Sequence, residues 1–349
     1  MNSYNKLLTP DRRRQTRAPR GRGFAAGLLA LLLLPLAPAQ DDLPFDSGSD
    51  GSDGELKIPA HPTRRDGMSM AYDPVREQFV MFGGNISNTH FPETYVSDGL
   101  GWRLVETDTF LSARREFAMA WDAHNEVVVL FGGLRADGTV MDDFWAWDGE
   151  DWSPIEVDTP PGRYDHSLVA NTDTGDLYLL HGRAADNTQL QDLWRWNGEA
   201  WTEVEFASDP PDNTFRHIAS TYDPTDDAIV TYNEWRRETW KFKNGDWTEV
   251  ATGETPNSGW GFSFLYNPAT QSSILFGGTS DLRQTWQFKD DEWSTIPTAQ
   301  VPPDRYDHAV GYDPATASLI VSLGVMDRRH NGEFNADNHD TWAFNDGEW

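Results

Sequence analysis

Six tryptophans set the frame of this chain: Trp102, Trp152, Trp201, Trp247, Trp293 and Trp349 follow one another at intervals of 50, 49, 46, 46 and 56 residues. Seven residues before each stands another aromatic, namely Tyr95, Trp145, Trp194, Trp240, Trp286 and Trp342. Five residues before stand Trp147, Trp196, Phe242, Phe288 and Phe344, with Ser97 as the exception in the first unit. A register that holds through six units describes one supersecondary element repeated, and units of this length bury a core only by stacking on their neighbours. The chain is therefore read as one repeat domain, not as two ordinary ones.

Each unit parses into strands. The anchors Asp73, Asp122, Asn171, Asp223, Asn267 and Asp313 are followed, ten and eleven residues on, by Gly83-Gly84, Gly132-Gly133, His181-Gly182, Asn233-Glu234, Gly277-Gly278 and Leu323-Gly324. Short apolar runs lead into the glycines, as in Phe79 to Phe82, Val127 to Phe131 and Ser273 to Phe276. Because side chains alternate along a strand, the aromatics seven and five positions before the closing tryptophan share one face. Asp98-Gly99, Asp148-Gly149, Asn197-Gly198, Asn244-Gly245 and Asp346-Gly347 supply the positive-φ residues of a tight hairpin into the final strand. Aromatic residues make up 13% of the chain, so the core is built from rings, which favours β layers over helices. These periods and strands predict an all-β fold, a six-bladed β-propeller of four-stranded blades.

The apolar run with its double glycine, the spaced aromatics and the closing tryptophan together resemble the kelch-repeat family, which includes the central domain of the galactose oxidase type. The resemblance covers Arg65 to Trp349. It implies a propeller, and it leaves function open, because kelch propellers serve as binding scaffolds, sugar isomerases and oxidases. Galactose oxidase chemistry needs a cysteine crosslinked to a radical tyrosine. The chain has no cysteine, which excludes that chemistry along with disulfides and thiolate metal sites.

The N-terminus reads as an export signal over residues 1–39. Lys6 and six arginines between Arg12 and Arg22 precede an apolar run of 13 residues, Phe24 to Leu36, and then Ala37-Pro38-Ala39, a small-x-small cleavage pattern. The run is too short to span a bilayer, so no membrane span is expected after cleavage; the alternative is a retained N-terminal anchor. Residues 40–54 are an acidic Gly/Ser/Asp linker, and the propeller is assigned to residues 55–349. Removal of the leader takes the net charge from −28 to −34, a surface that repels nucleic acid. The localisation expected is secreted or periplasmic, as a monomer. The chain stops at Trp349 where other blades run on, and Glu55 to Pro59 is expected to supply the outer strand of the last blade.

Eight residues before the anchor stands an arginine in four units, Arg65, Arg114, Arg163 and Arg305, with Phe215 and Gly259 in the other two. In a closed ring these four occupy adjacent blades, on the face that also carries the loops after the double glycines. They are candidate ligands for a carboxylate or sulfate. The architectural alternative makes them ties between neighbouring blades. Arg163-Tyr-Asp-His166 and Arg305-Tyr-Asp-His308 repeat almost letter for letter, so His166 and His308 are candidates for a shared channel, against a repeated structural hydrogen bond. Trp235 and Trp260 offer ring faces where the arginine arc has its gap. The long loop from Val325 to His339 is a further candidate. No phosphate loop, catalytic triad order, metal motif or cofactor motif is found. The sequence therefore points to an exported, non-catalytic binding propeller with a protein or glycan partner. A sialic acid epimerase-like enzyme and a structural adhesion protein stand as alternatives.

Overall fold

The computed structural model describes residues 62–99, 101–208, 218–280, 284–325 and 340–349. The chain divides into Met1–Leu56 and Lys57–Trp349, and every described residue belongs to the second unit. The expectations set on the leader, the linker, the closing strand from Glu55 to Pro59, Phe215 and most of the Val325 to His339 loop lie outside the described residues.

Among the described residues the secondary structure is strand and turn, in six antiparallel blade sheets and a two-stranded ribbon, Asn85–Ile86 with Thr89–His90, in the loop of the first blade. The second blade is typical: Ala118–Asp122, Val127–Phe131, Phe144–Trp147 and Trp152–Pro154 lie side by side in chain order. Five sheets have four strands; the last shows three, Ala309–Asp313, Ser318–Ser322 and Thr341–Phe344. The first strands of the six sheets neighbour one another in a closed cycle, in which Ser69–Asp73 touches both Ala118–Asp122 and Ala309–Asp313. This is the six-bladed propeller, with the first strand of every blade innermost.

The anchors work as turn formers. Each ends or follows the first strand, and its side-chain oxygen accepts the backbone N–H two residues on: Val75 to Asp73, His124 to Asp122, Asp173 to Asn171, Thr225 to Asp223, Ala269 to Asn267 and Ala315 to Asp313.

The core is distributed between blades. Val80, Phe82 and Val96 of the first blade bury against Val128, Leu130 and Trp147 of the second, and an equivalent cluster fills every other gap, including that between the last blade and the first. The closing tryptophan adds a polar contact to this packing. Trp152 donates its indole N–H to Thr94 of the preceding blade at 2.9 Å, Trp349 to Thr285 at 2.7 Å and Trp102 to Thr341 at 3.3 Å, the last joining the first blade to the sixth.

Candidate functional site

The four arginines lie beneath the loop face and not on it. Arg65, Arg114, Arg163 and Arg305 are at most 2% exposed. Each guanidinium grips its own blade: Arg114 donates to the carbonyl of Gly132 at 3.0 Å and, through both fork nitrogens, to Asp143 at 2.5 and 2.8 Å. Arg163 repeats this with the His181 carbonyl and Asp192, Arg305 with the Leu323 carbonyl and Asp340, and Arg65 with the Gly83 carbonyl and Glu93. The aspartates also accept from the aromatic two residues on. Trp145, Trp194 and Trp342 donate their indole N–H to Asp143, Asp192 and Asp340 at 2.6–2.7 Å. A guanidinium whose donors are spent on a carbonyl and a carboxylate has no fork left for a ligand. These residues therefore present no cationic arc to the face.

The arginine backbones do link blades. The carbonyls of Arg114, Arg163 and Arg305 accept from Gly84, Gly133 and Gly278 of the preceding blade at 2.8–2.9 Å. This approach explains the first glycine of the pair, since a Cβ on Gly132 would stand 2.6 Å from the Arg163 carbonyl oxygen.

Two residues after the arginine position, in the five blades where that residue is described, the chain turns left-handed. Gly67, Glu116, Asp165, Gly261 and Asp307 have φ between 49° and 74°. They pass hydrogen bonds around the axis: Asp307 N–H donates to Gly261 O at 2.8 Å, Gly67 to Asp307 at 3.3 Å, Glu116 to Gly67 at 2.8 Å and Asp165 to Glu116 at 3.0 Å. This collar runs through blades five, six, one, two and three.

Cavities lie along the axis and share the collar. One, of about 420 Å³, is lined by Asp66, Asn85, Glu116, Asp165, Trp260 and Asp307 among others. The other, of about 230 Å³, adds Phe117, His166, Phe262 and His308 to the collar residues. The carboxyl crowding shows in the titration. Burial, reinforced by Asp66, Asp165 and Glu116 and opposed by Arg115, pushes the Asp307 carboxyl up to about 8. Asp66 is also raised, mainly by burial, against Arg115 and Arg64. Arg115 itself pairs with Glu116 at the cavity edge.

His166 and His308 both line the smaller cavity, so the two repeated histidines do reach one channel. Burial, aided by Arg163 and Arg305 respectively, lowers each to about 3, which keeps both neutral at ordinary pH. His308 shares a hydrogen bond of 2.9 Å with Ser263 of the fifth blade, and His166 packs edge-on against Phe131 of the second. Trp260 is 37% exposed and stands at the larger cavity, edge-to-face on Tyr306 with ring centroids 4.5 Å apart. Trp235 is 58% exposed, in the turn between the second and third strands of blade four, and does not line either of these cavities. Among the described residues no group of three or more His, Asp or Glu is arranged to hold a metal ion.

Sequence reasoning missed Asp66, Asn85, Glu116, Asp165 and Asp307. Two of them sit inside the repeated Arg-Tyr-Asp-His strings, where attention to the histidine passed over the aspartate. The register two residues after the arginine position gathers Glu116, Asp165 and Asp307; Asp66 and Asn85 stand outside it.

The KLHDC2/KLHL20/DRC7 Kelch-repeats domain matches this chain over residues 55–232. That is half the sequence. The chain belongs to the kelch-repeat family. Its double glycines and closing tryptophans are thus kelch-repeat features, and the inter-blade contacts described above are how this kelch propeller uses them. The chain is also 27% identical over 93 residues to the tRNA wybutosine-synthesizing protein 4 of Aspergillus fumigatus, a stretch that covers 26% of this chain and 9% of that protein. The chain therefore spans under a tenth of that relative's length.

Proposed function

We propose that this chain is an exported, non-catalytic kelch propeller that binds a protein or glycan partner through its loop face, centred on the axial cavity. One observation carries the reading: the larger cavity, about 420 Å³, falls in the size range of ligand sites and combines an aromatic wall at Trp260 and Tyr306 with several polar groups. Trp260 at the cavity and Trp235 on the loop of blade four both stand exposed and offer ring faces to a partner. Export rests on the basic, apolar and small-residue order of the first 39 residues.

The test is a glycan array and a set of candidate protein ligands read against the parent and the Trp260→Ala and Trp235→Ala variants. A ligand whose binding falls in these variants while melting is unchanged supports the reading; ligands indifferent to every loop-face variant would falsify it. N-terminal sequencing of the exported protein checks the leader, with Gln40 expected first.

Asp307 favours a second reading, a carbohydrate-active propeller enzyme, because a carboxyl that keeps its proton near neutral pH in a cavity has the property of a general acid. Turnover of a sialylated or other acidic sugar that disappears in Asp307→Asn would establish it.

A further inference from the structure

We propose that the larger axial cavity binds a neutral pyranose, with the C–H face of the sugar ring laid on Trp260. This rests on the loop face being the binding face and names the glycan half of that reading.

The mouth of the cavity departs from the repeat. One residue after the arginine position the described blades carry Asp66, Arg115, Tyr164, Trp260 and Tyr306, a carboxylate, a guanidinium, an indole and two phenols in one register. Their backbones are held alike. Asp66, Arg115 and Tyr306 each bridge to the residue after the glycine position of their own blade, with both hydrogen bonds at 2.9–3.0 Å, and the Trp260 N–H donates to the Thr279 hydroxyl at 3.2 Å. A residue that serves the ring, such as the clamp arginine, recurs from blade to blade, whereas one small molecule on the axis meets every blade differently. Asp66, Arg115, Trp260 and Tyr306 all line the cavity, and each keeps part of its surface exposed.

The lining answers its own charge. Arg115 pairs with Glu116, and Arg115 and Arg64 lie close enough to Asp66 to oppose the rise that burial gives its carboxyl. Asp307, raised to about 8, keeps its proton at neutral pH and is then both donor and acceptor. An ionic ligand of either sign meets a like charge beside the opposite one. A sugar hydroxyl, which donates and accepts, finds a partner for each role.

The aromatic wall and the proton-bearing carboxyl are neighbours. Gly261 follows Trp260, its carbonyl accepts the Asp307 N–H at 2.8 Å, and a Cβ on Gly261 would stand 2.6 Å from Asp307 Oδ1. Tyr306 braces the indole edge-to-face from the other side. A pyranose has an apolar face of C–H bonds and a rim of hydroxyls, which matches a ring wall with polar groups beside it, and about 420 Å³ has room for a monosaccharide.

The experiment is isothermal titration and saturation-transfer NMR of the purified full chain with the methyl glycosides of glucose, galactose, mannose, xylose, fucose and N-acetylglucosamine. Methyl glucuronide, glucosamine and N-acetylglycine amide serve as acidic, cationic and non-sugar controls. We expect at least one neutral glycoside to bind, with its strongest saturation on the C–H protons of one ring face and every control at least about tenfold weaker. Trp260→Ala should weaken that glycoside about tenfold with melting unchanged. Arg115→Gln and Asp66→Asn should each weaken it several-fold, and Trp260→Ala, at an exposed position, serves alone if neither folds. An oligosaccharide ending in the same sugar that binds tighter than the glycoside assigns the site to a glycan chain, and equal binding assigns it to the free sugar; both support the pyranose.

Failure of every neutral glycoside to bind, a control as tight as the best glycoside, or affinity untouched by Trp260→Ala overturns the proposal. A protein ligand that is lost in Trp260→Ala while no glycoside binds removes the sugar inference and leaves the loop-face reading standing. Ligands that ignore every loop-face variant remove the reading itself.

Discussion

Trp293 donates its indole N–H to the hydroxyl of Thr239 across the gap between the fifth and fourth blades, at 2.8 Å, with both residues buried. The threonine stands at the start of the third strand of its blade, Glu238–Lys243, eight residues before that blade's closing tryptophan, and Thr94, Thr285 and Thr341 hold the same place in three others. In the remaining two blades that place belongs to Phe144 and Leu193, and the tryptophans facing them, Trp201 and Trp247, keep buried indole N–H groups without a partner.

Thr239→Val keeps the volume and removes the acceptor. We expect it to cost about 1–3 kcal/mol in chemical denaturation, the penalty of an unmade buried donor. Thr341→Val removes a longer bond at an exposed position and should cost less than about 1 kcal/mol. Equal costs at the two sites would show that the indole bond contributes nothing of its own.

Arg114→Met should cost about 3 kcal/mol or more, because it cuts the clamp and leaves Asp143 with its desolvation unanswered except by Trp145. Ligand affinity of the folded fraction should not change. A variant that melts like the parent would show that the guanidinium is not part of the frame.

Asp307 predicts a pH dependence of stability. Its folded pKa of about 8 lies above the unfolded value of 3.8, so its contribution is fully present below about pH 4 and is lost as pH rises through 8. Asp66, Glu116 and Asp165 raise it, Arg115 opposes them, and the nearby His166 and His308 are neutral throughout this range. Asp307→Asn stays uncharged, so its melting temperature should gain on the parent between pH 5 and pH 9. A constant difference across that range would place the carboxyl in ordinary water.

His166, His181 and His308 act in the opposite direction. Each is lowered to about 3, chiefly by burial, so the unfolded chain takes up protons below about pH 6.5 that the native chain refuses, and stability falls as pH drops toward 3. His166→Phe retains a ring against Phe131 and should reduce proton uptake on unfolding near pH 5 by about one. Parallel stability curves for parent and variant would contradict this.

The blades were legible because their signals are local and repeated. A tryptophan seven residues from the next and a glycine pair after an apolar run survive translation into strands without knowledge of neighbours. The arginine clamp was half legible. Its carboxylate stands nine residues before the closing tryptophan, as Glu93, Asp143, Asp192 and Asp340; blade five loses both partners, with Gly259 and Gln284 in their places, and blade four keeps Glu238 without the arginine. That register is in the sequence, but a cation repeated on one face reads as a surface until burial is known. The collar was not legible. Its acids look like part of a solvated acidic surface, and only the left-handed turn at Glu116, Asp165 and Asp307 brings them to the axis.

The arginine clamp has a consequence for how such a face changes over time. Each clamp fastens the loop at its root, from the turn after the second strand to the carboxylate before the third, and it does so over separations of 28, 29, 29 and 35 residues between arginine and carboxylate. In the sixth blade the segment between the two fixed points is thus several residues longer on the same fastening. Segments inserted between the two fixed points leave sheet register and blade packing untouched, so the loops behave as interchangeable cassettes, and a foreign sequence grafted between Gly324 and Asp340 enters a socket whose two ends the protein already holds.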